Sequence, residues 1–125
     1  MLKLFTWPTQ NARKISIMLE ECNLDYEIHA INIEKDEQHQ ASFKALNPNG
    51  KIPVLTDTNL TDDFGNIEAI FETGAILLYL AEKNGQFLSH DPALRIRTLK
   101  WLFWQTSGLG PTLGNFSHYA SALAK

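Results

Sequence analysis

The chain has 125 residues, of which 44% are hydrophobic and 20% are charged, so we expect a soluble globular protein with its own hydrophobic core. The formal net charge of −3 provides no basic surface for phosphates, and we therefore expect no nucleic-acid partner. The apolar run 75–81 is too short to span a bilayer, and the single cysteine, Cys22, excludes an internal disulfide. These features favour a cytoplasmic protein with no membrane partner.

Alternating apolar and polar residues predict strands, and apolar residues three or four positions apart predict helices. On this basis we expect strands over residues 2–5, 26–33, 52–56 and 67–71, and helices that end near residues 22, 46 and 85. Thr73 is a candidate N-cap for the last of these helices, and Gly85 can end it. Residues 58–63 are predicted as a turn.

The resulting order over residues 1–85, βαβαββα, is that of an α/β domain whose last two strands form an antiparallel hairpin. After residue 85 the pattern changes. Residues 86–90 are predicted as a linker, and Asp91 followed by Pro92 is typical of a helix start. Residues 91–125 then predict the start of an all-α domain, with an interruption or kink between Gly108 and Gly114.

Three motifs occur in order along the chain. The segment NGKIPVL contains Pro53, FETGAILLYLAEK begins 18 residues later, and TLKWLFWQTSGLGPTLG follows after residue 97. The first two resemble the glutathione transferase amino-terminal domain, which has a thioredoxin-like fold, over residues 1–85. The third is similar to the first helix of the transferase helical domain, in the bacterial Nu-class or disulfide-bond oxidoreductase branch. Compared with that family, the helical domain is truncated.

The resemblance implies a glutathione site around Pro53. Without it we would expect an ordinary trans proline on an edge strand, since cis bonds are a small minority of X–Pro bonds. With it, Ile52–Pro53 is expected to be cis, and the Ile52 backbone to pair with the cysteinyl part of glutathione. Glu72 would take the α-amino group of the ligand, and Thr73 its γ-glutamyl carboxylate, at a helix start that favours anions. Thr73 could also act as a plain helix cap.

The loop that carries a Cys-x-x-Cys pair in thioredoxins has no cysteine here, so the resemblance implies that Thr9 and Asn11 donate hydrogen bonds to the glutathione sulfur. Asn11 could instead be only an N-cap. Gln38, with Lys51, is expected to contact the glycyl end of the ligand, although both could equally be solvated surface residues. The histidines show no metal spacing, and we expect no metal.

The resemblance implies a glutathione-dependent disulfide-bond reductase or a glutathione transferase that activates the glutathione thiol. Its expected ligand is glutathione or glutathione disulfide. A homodimer is also expected, because the long apolar segment after residue 91 would otherwise be exposed to solvent. The alternative is a non-catalytic dimerisation or regulatory module with the transferase fold, or a truncated inactive product.

Overall fold

A computed structural model describes residues 1–123, and the chain divides into two compact units, Met1–Gln86 and Phe87–Lys125. The strands are β1 (Leu2–Thr6), β2 (Tyr26–Ala30), β3 (Val54–Thr61) and β4 (Ile67–Phe71). The helices are α1 (Gln10–Glu21), α2 (Ala41–Lys44), α3 (Thr73–Asn84), α4 (Pro92–Trp104) and α5 (Gly110–Leu123). The order of the first unit is βαβαββα, as the sequence predicted.

The strands of the first unit form one mixed sheet in the order β2-β1-β3-β4. β1 and β2 are parallel, whereas β3 runs antiparallel to both β1 and β4. The two antiparallel registers share Val54, which pairs with Phe5 on one side and with Phe71 on the other. The carboxyl ends of β1 and β4 therefore lie beside the amino end of β3, at one end of the sheet.

Each face of the sheet has its own apolar cluster, because side chains alternate between faces along a strand. On one face β1 and β3 contribute Leu4 and Leu55, which are fully buried with residues of α1 and α3: Ile15, Leu19, Ile76 and Leu80. On the other face Val54 packs with Ile31 and Phe43. Fully burying one such side chain contributes about 1.5–3 kcal/mol, so these two clusters dominate the stability of the unit.

A buried carboxylate, Asp57, connects β3 to α3. It accepts hydrogen bonds from the Tyr79 hydroxyl at 2.7 Å and from the Asn59 N–H at 3.0 Å, and Lys83 Nζ lies 2.8 Å from it. Burial alone would raise the pKa of Asp57, but these donors hold the pKa well below its usual value. Burial and the adjacent carboxylate raise the pKa of Tyr79 to about 12. Since Tyr79 and Lys83 lie on α3, the network fixes that helix to the sheet.

The second unit contains α4 and α5, joined through a π-helical turn at Gln105–Leu109. α4 begins as predicted, because Asp91 Oδ1 accepts a hydrogen bond from the Leu94 N–H at 2.9 Å. The predicted interruption is a wider helical turn rather than a break, and it starts at residue 105 rather than 108. Pro111 lacks the N–H that a regular helix would use at this point, so the hydrogen-bond spacing changes just before it.

β2 is shorter than the sequence predicted. It ends at Ala30 and not at residue 33, because Asn32 caps a short 3-10 turn, Ile33–Lys35, by accepting a hydrogen bond from the Glu34 N–H at 2.9 Å. A second such turn, Glu37–His39, leads to α2. Among residues 1–123, no helix combines the length and hydrophobicity that crossing a bilayer requires.

β3 is longer than predicted and occupies residues 58–61 of the turn expected at residues 58–63. It continues to Thr61, which pairs with Ile67. The chain reverses instead at Asp62, whose Oδ1 accepts hydrogen bonds from the N–H groups of Phe64 and Asn66 at 2.9 and 2.8 Å. An aspartate that bonds to following backbone N–H groups is a recognised turn former, which explains the shift.

The buried network predicts a pH-dependent loss of stability. Because the folded-state pKa of Asp57 is lowered, its stabilising effect is complete above about pH 4 and is lost as the pH falls toward the folded-state pKa. Asp57→Asn should therefore lower the free energy of unfolding by about 2–3 kcal/mol at pH 7, and this loss should shrink steadily as the pH falls from about 4 to about 2, measured by urea unfolding.

The matched control is Glu27→Gln, which breaks an exposed ion pair with Lys3 (3.3 Å) and should change stability by about 0–1 kcal/mol. If the stability lost in Asp57→Asn were the same at pH 2 as at pH 7, the charge of Asp57 would have no role.

Candidate functional site at one end of the sheet

The pairing of Phe5, Val54 and Phe71 brings three predicted site segments together. β1 leads directly into the loop before α1, β3 is entered from Ile52–Pro53, and β4 leads into Glu72–Thr73. All three segments therefore lie at the same end of the sheet. We call this end the site end.

Thr9 is the N-cap of α1, since its Oγ1 accepts a hydrogen bond from the Ala12 N–H at 3.3 Å. A threonine hydroxyl can accept and donate at once, so its proton remains available to a ligand. The alternative that Asn11 is the N-cap is wrong, because Asn11 lies within the first turn of the helix. Asn11 Oδ1 accepts a hydrogen bond from Lys14 Nζ at 3.0 Å, which leaves the Asn11 amino group exposed as a donor. Burial lowers the pKa of Lys14.

The Ile52–Pro53 peptide bond is cis, as the family resemblance predicted. Pro53 is buried and Ile52 packs against the cluster that contains Phe43 and Val54. The pairs of the β3 ladder begin at Val54, so the Ile52 backbone lies outside the ladder at the site end.

The loop before Ile52 is fastened by Asn47, which is 3% exposed. Asn47 Nδ2 donates to the Lys51 carbonyl at 2.7 Å, and Asn47 Oδ1 accepts from the Asn49 N–H at 3.0 Å. The Gly50 N–H also donates to the Asn47 carbonyl at 2.9 Å. These bonds close residues 47–51 into a compact turn.

Gly50 brings Gln38 and Lys51 to neighbouring positions. Its φ is +62°, and a Cβ placed there would lie 3.0 Å from His39 Nδ1 and 3.1 Å from the Gln38 carbonyl, so the loop packs closely against the Glu37–His39 turn. Lys51 is exposed, and Gln38 Oε1 is buried without a hydrogen-bond partner among the described residues. A buried acceptor without a partner is energetically costly.

Glu72 connects β4 to α3 with φ 70° and ψ 119°, a backbone conformation that costs a non-glycine residue about 1–3 kcal/mol. Its carbonyl accepts the Ile76 N–H at 3.0 Å, but its exposed side chain makes no capping hydrogen bond. The prediction that Thr73 caps α3 is wrong, because Thr73 is the first residue of that helix. The first N–H groups of a helix have no intrahelical partner, so this terminus offers donors and positive potential.

Two residues that hold predicted site residues in place were not identified from the sequence: Lys14, which bonds to Asn11, and Asn47, which bonds to Lys51. Lys14 follows Asn11 by three positions, a spacing at which helical side chains meet. Asn47 begins the segment NPNG, whose turn-forming residues could have indicated a fixed loop.

A groove of about 380 Å³ adjoins the loop before α1 and is lined by Trp7, Pro8, Arg13 and Ile28 among others. Ile52, Glu72 and Thr73 do not line it, so only the first of the three segments of the site end contributes to the groove. In the described part of the chain, no group of three or more His, Cys, Asp or Glu side chains is arranged to hold a metal ion.

The family of the chain follows from comparison with known proteins. Residues 10–83 match the family model described as the glutathione S-transferase N-terminal domain, and the chain belongs to that family. The similarity to a curated relative extends further: the chain is 47% identical over 122 residues to the disulfide-bond oxidoreductase YfcG of Escherichia coli (strain K12), a match that covers 98% of this chain and 56% of the relative.

Solved structures show the same fold. A glutathione transferase from Pseudomonas putida with one glutathione disulfide bound per subunit has a TM-score of 0.83 and 49% identity, over 90% of this chain and 48% of that one. A glutathione transferase homologue from Lodderomyces elongisporus with two glutathione molecules per subunit has a TM-score of 0.89 and 38% identity, over 97% and 57%. The chain thus spans about half the length of these relatives.

The strained backbone of Glu72 predicts that a glycine at this position makes the folded chain more stable. Glu72→Gly removes the Cβ that makes this conformation costly and should raise the free energy of unfolding by about 1 kcal/mol, measured by urea unfolding. Glu72→Ala keeps a Cβ and is the matched control, for which we expect no such gain. A glycine variant no more stable than the alanine variant would show that Glu72 stores no strain.

Proposed function

We propose that this chain forms the glutathione-binding part of a glutathione-dependent disulfide-bond reductase or glutathione transferase that activates the glutathione thiol. The observation that supports this proposal most directly is the meeting of Thr9, Ile52 and Glu72–Thr73 at the site end. A tripeptide could contact all three segments at once.

The backbone and the two ends of glutathione would bind to different segments. The Ile52 N–H and carbonyl would pair with the cysteinyl residue as a short added strand. Thr73 would hold the γ-glutamyl carboxylate through its N–H and hydroxyl, and Glu72 the α-amino group. Gln38 and Lys51 would hold the glycyl end, a role supported by the close packing of the Gly50–Lys51 loop against the Glu37–His39 turn.

The thiol of glutathione would lie near the amino terminus of α1. There the Thr9 hydroxyl and the Asn11 amino group can donate hydrogen bonds to the sulfur, and donors to the charged form lower the pKa of a thiol. The protein's own thiol is unsuited to this chemistry, because Cys22 is buried and burial raises its pKa. Glutathione therefore supplies the nucleophile.

Thiol–disulfide exchange would proceed in two balanced steps. The glutathione thiolate attacks one sulfur of a substrate disulfide, so that a mixed disulfide forms as the original S–S bond breaks and the departing thiolate takes up a proton. A second glutathione thiolate attacks the glutathione sulfur of the mixed disulfide, which releases the reduced substrate and glutathione disulfide. In a transferase reaction the first thiolate would instead add to an electrophilic carbon.

Relatives favour the disulfide reaction. The Escherichia coli relatives YfcG and YghU are both named disulfide-bond oxidoreductases, and the Pseudomonas putida structure holds glutathione disulfide. Such a reaction needs a reduced glutathione pool, and we therefore place the protein in the cytoplasm.

The second candidate function is a non-catalytic dimerisation or regulatory module. It is favoured by the exposed aromatic residues of the second unit, where Trp101 and Trp104 stack edge to face with ring centres 5.5 Å apart while 64% and 53% exposed. Glutathione binding without turnover would support this alternative.

We also propose that the chain forms a homodimer through α4. No residue of α4 is buried, although the helix carries a set of large apolar side chains that are each about half exposed: Leu94, Ile96, Trp101, Phe103 and Trp104. Exposed apolar surface of this extent favours association, and two-fold dimers are the commonest closed assembly.

The residue proposed to hold the ligand and the residues proposed to contact its sulfur should give different defects when they are changed. Thr73→Ala removes a hydrogen bond to a charged group and should weaken glutathione binding by about 1.5–3 kcal/mol, or about 10- to 100-fold in Kd, measured by calorimetry. Thr9→Ala and Asn11→Ala should lower kcat for reduction of bis(2-hydroxyethyl) disulfide more than they raise KM, because their contact is with the reacting sulfur.

Thr98→Ala, on α4, is the control and should change neither quantity. A wild-type chain that binds neither glutathione nor its disulfide would overturn the proposed function. An Asn11→Ala variant with raised KM and constant kcat would make Asn11 a binding residue instead.

At micromolar concentration the wild-type chain should sediment as a dimer. The double variant Trp101→Gln with Trp104→Gln should sediment as a monomer. Ile17→Gln, which alters a 59% exposed residue of α1, is the matched control. A wild-type monomer that unfolds cooperatively and binds no hydrophobic dye would contradict the proposal.

A further inference from the structure

Asn47 uses its side chain and its backbone to hold both ends of the loop before Ile52. Besides its bonds to Lys51 and to the Asn49 N–H, its Oδ1 accepts a hydrogen bond from Asn49 Nδ2 at 3.1 Å. Its own N–H donates to the Phe43 carbonyl at 3.0 Å. Phe43 is 3% exposed and belongs to the apolar cluster against which Ile52 packs. Asn47 is therefore fixed to the core on one side and to the Lys51 carbonyl on the other.

The bond to the Lys51 carbonyl has a consequence for Ile52. The Lys51 carbonyl and the Ile52 N–H belong to one planar peptide unit, in which a trans bond directs them to opposite sides. The cis bond of this segment is the next one, Ile52–Pro53. By holding the Lys51 carbonyl, Asn47 therefore directs the Ile52 N–H away from itself.

We propose that Asn47 is a positioning residue for ligand binding, which orients the Ile52 N–H toward the ligand through the shared peptide plane. The inference rests on the proposed function, in which Ile52 pairs with the backbone of a γ-glutamyl tripeptide. Asn47 itself, buried beneath the loop, would not touch the ligand.

The test compares three forms of the full chain, wild type, Asn47→Ala and Asn47→Asp, by calorimetric titration with glutathione below their melting temperatures. We expect both variants to raise Kd by about tenfold or more. Asn47→Asp has nearly the shape of asparagine and can still accept from Asn49, but it cannot donate to the Lys51 carbonyl. It therefore tests that single bond even if the alanine variant does not fold.

A second measurement separates positioning from general stability. In amide NMR spectra, saturating glutathione should shift the Ile52 N–H resonance of the wild type, and this shift should be largely lost in Asn47→Asp. Asn66→Ala, which removes a turn-stabilising asparagine bonded to Asp62 in the β3–β4 turn, is the matched control and should retain wild-type Kd and the wild-type Ile52 shift.

The outcomes distinguish the two proposals. If the wild type does not bind glutathione, the proposed function fails and the role of Asn47 fails with it. If the wild type binds and the Asn47 variants bind equally well, or bind weakly with the Ile52 shift retained, the positioning role alone is overturned.

Discussion

The pairing of Val54 with both Phe5 and Phe71 is the constraint on which the candidate site depends. Strand direction and register alone decide that the loop before α1, the entry to β3 and the start of α3 lie at one end of the sheet. A shift of one residue in either register would turn Val54 from one apolar cluster toward the other, because strand side chains alternate. The burial of Val54 and Leu55 on opposite faces therefore protects the arrangement of the site as well as the core.

The other fixed point is Asp57, three residues into β3 from Val54. Its bonds to Tyr79 and Lys83 hold α3 against the sheet, and the amino terminus of α3 is the part of the candidate site that we propose for an anionic group of the ligand. A buried ion pair contributes less net stability than its contacts suggest, because both charges lose solvent. The main effect of this pair is therefore to fix the position of α3 on the sheet.

Much of this architecture could be predicted from the sequence. The strand and helix order followed from apolar periodicity, and the start of α4 from Asp91 and Pro92, because those signals are local. The turn predicted over residues 58–63 was placed too early, since several turn-forming residues lie between Thr58 and Asn66, and the choice among them depends on the pairing of Thr61 with Ile67. The cis bond before Pro53 was predicted from family resemblance and not from the residues alone.

The residues of the candidate site could be named from the sequence only in part. Thr9, Ile52 and Thr73 could be named because motifs mark them, but the bonds of Asn47 and the closeness of Gly50 to Gln38 arise only when distant segments pack together. Buried polar residues with structural partners resemble ordinary turn residues in a sequence.

The first turn of α3 differs from those of α1 and α4 in having no side-chain cap, whereas Thr9 and Asp91 cap the other two. A carboxylate bound at this terminus would complete the helix, since it would accept the hydrogen bonds that a capping side chain normally accepts. A bound carboxylate and a capping side chain would therefore compete for the same N–H groups. The absence of a capping side chain at Glu72, whose backbone lies outside the extended conformation of Thr9 and Asp91, therefore leaves these N–H groups open.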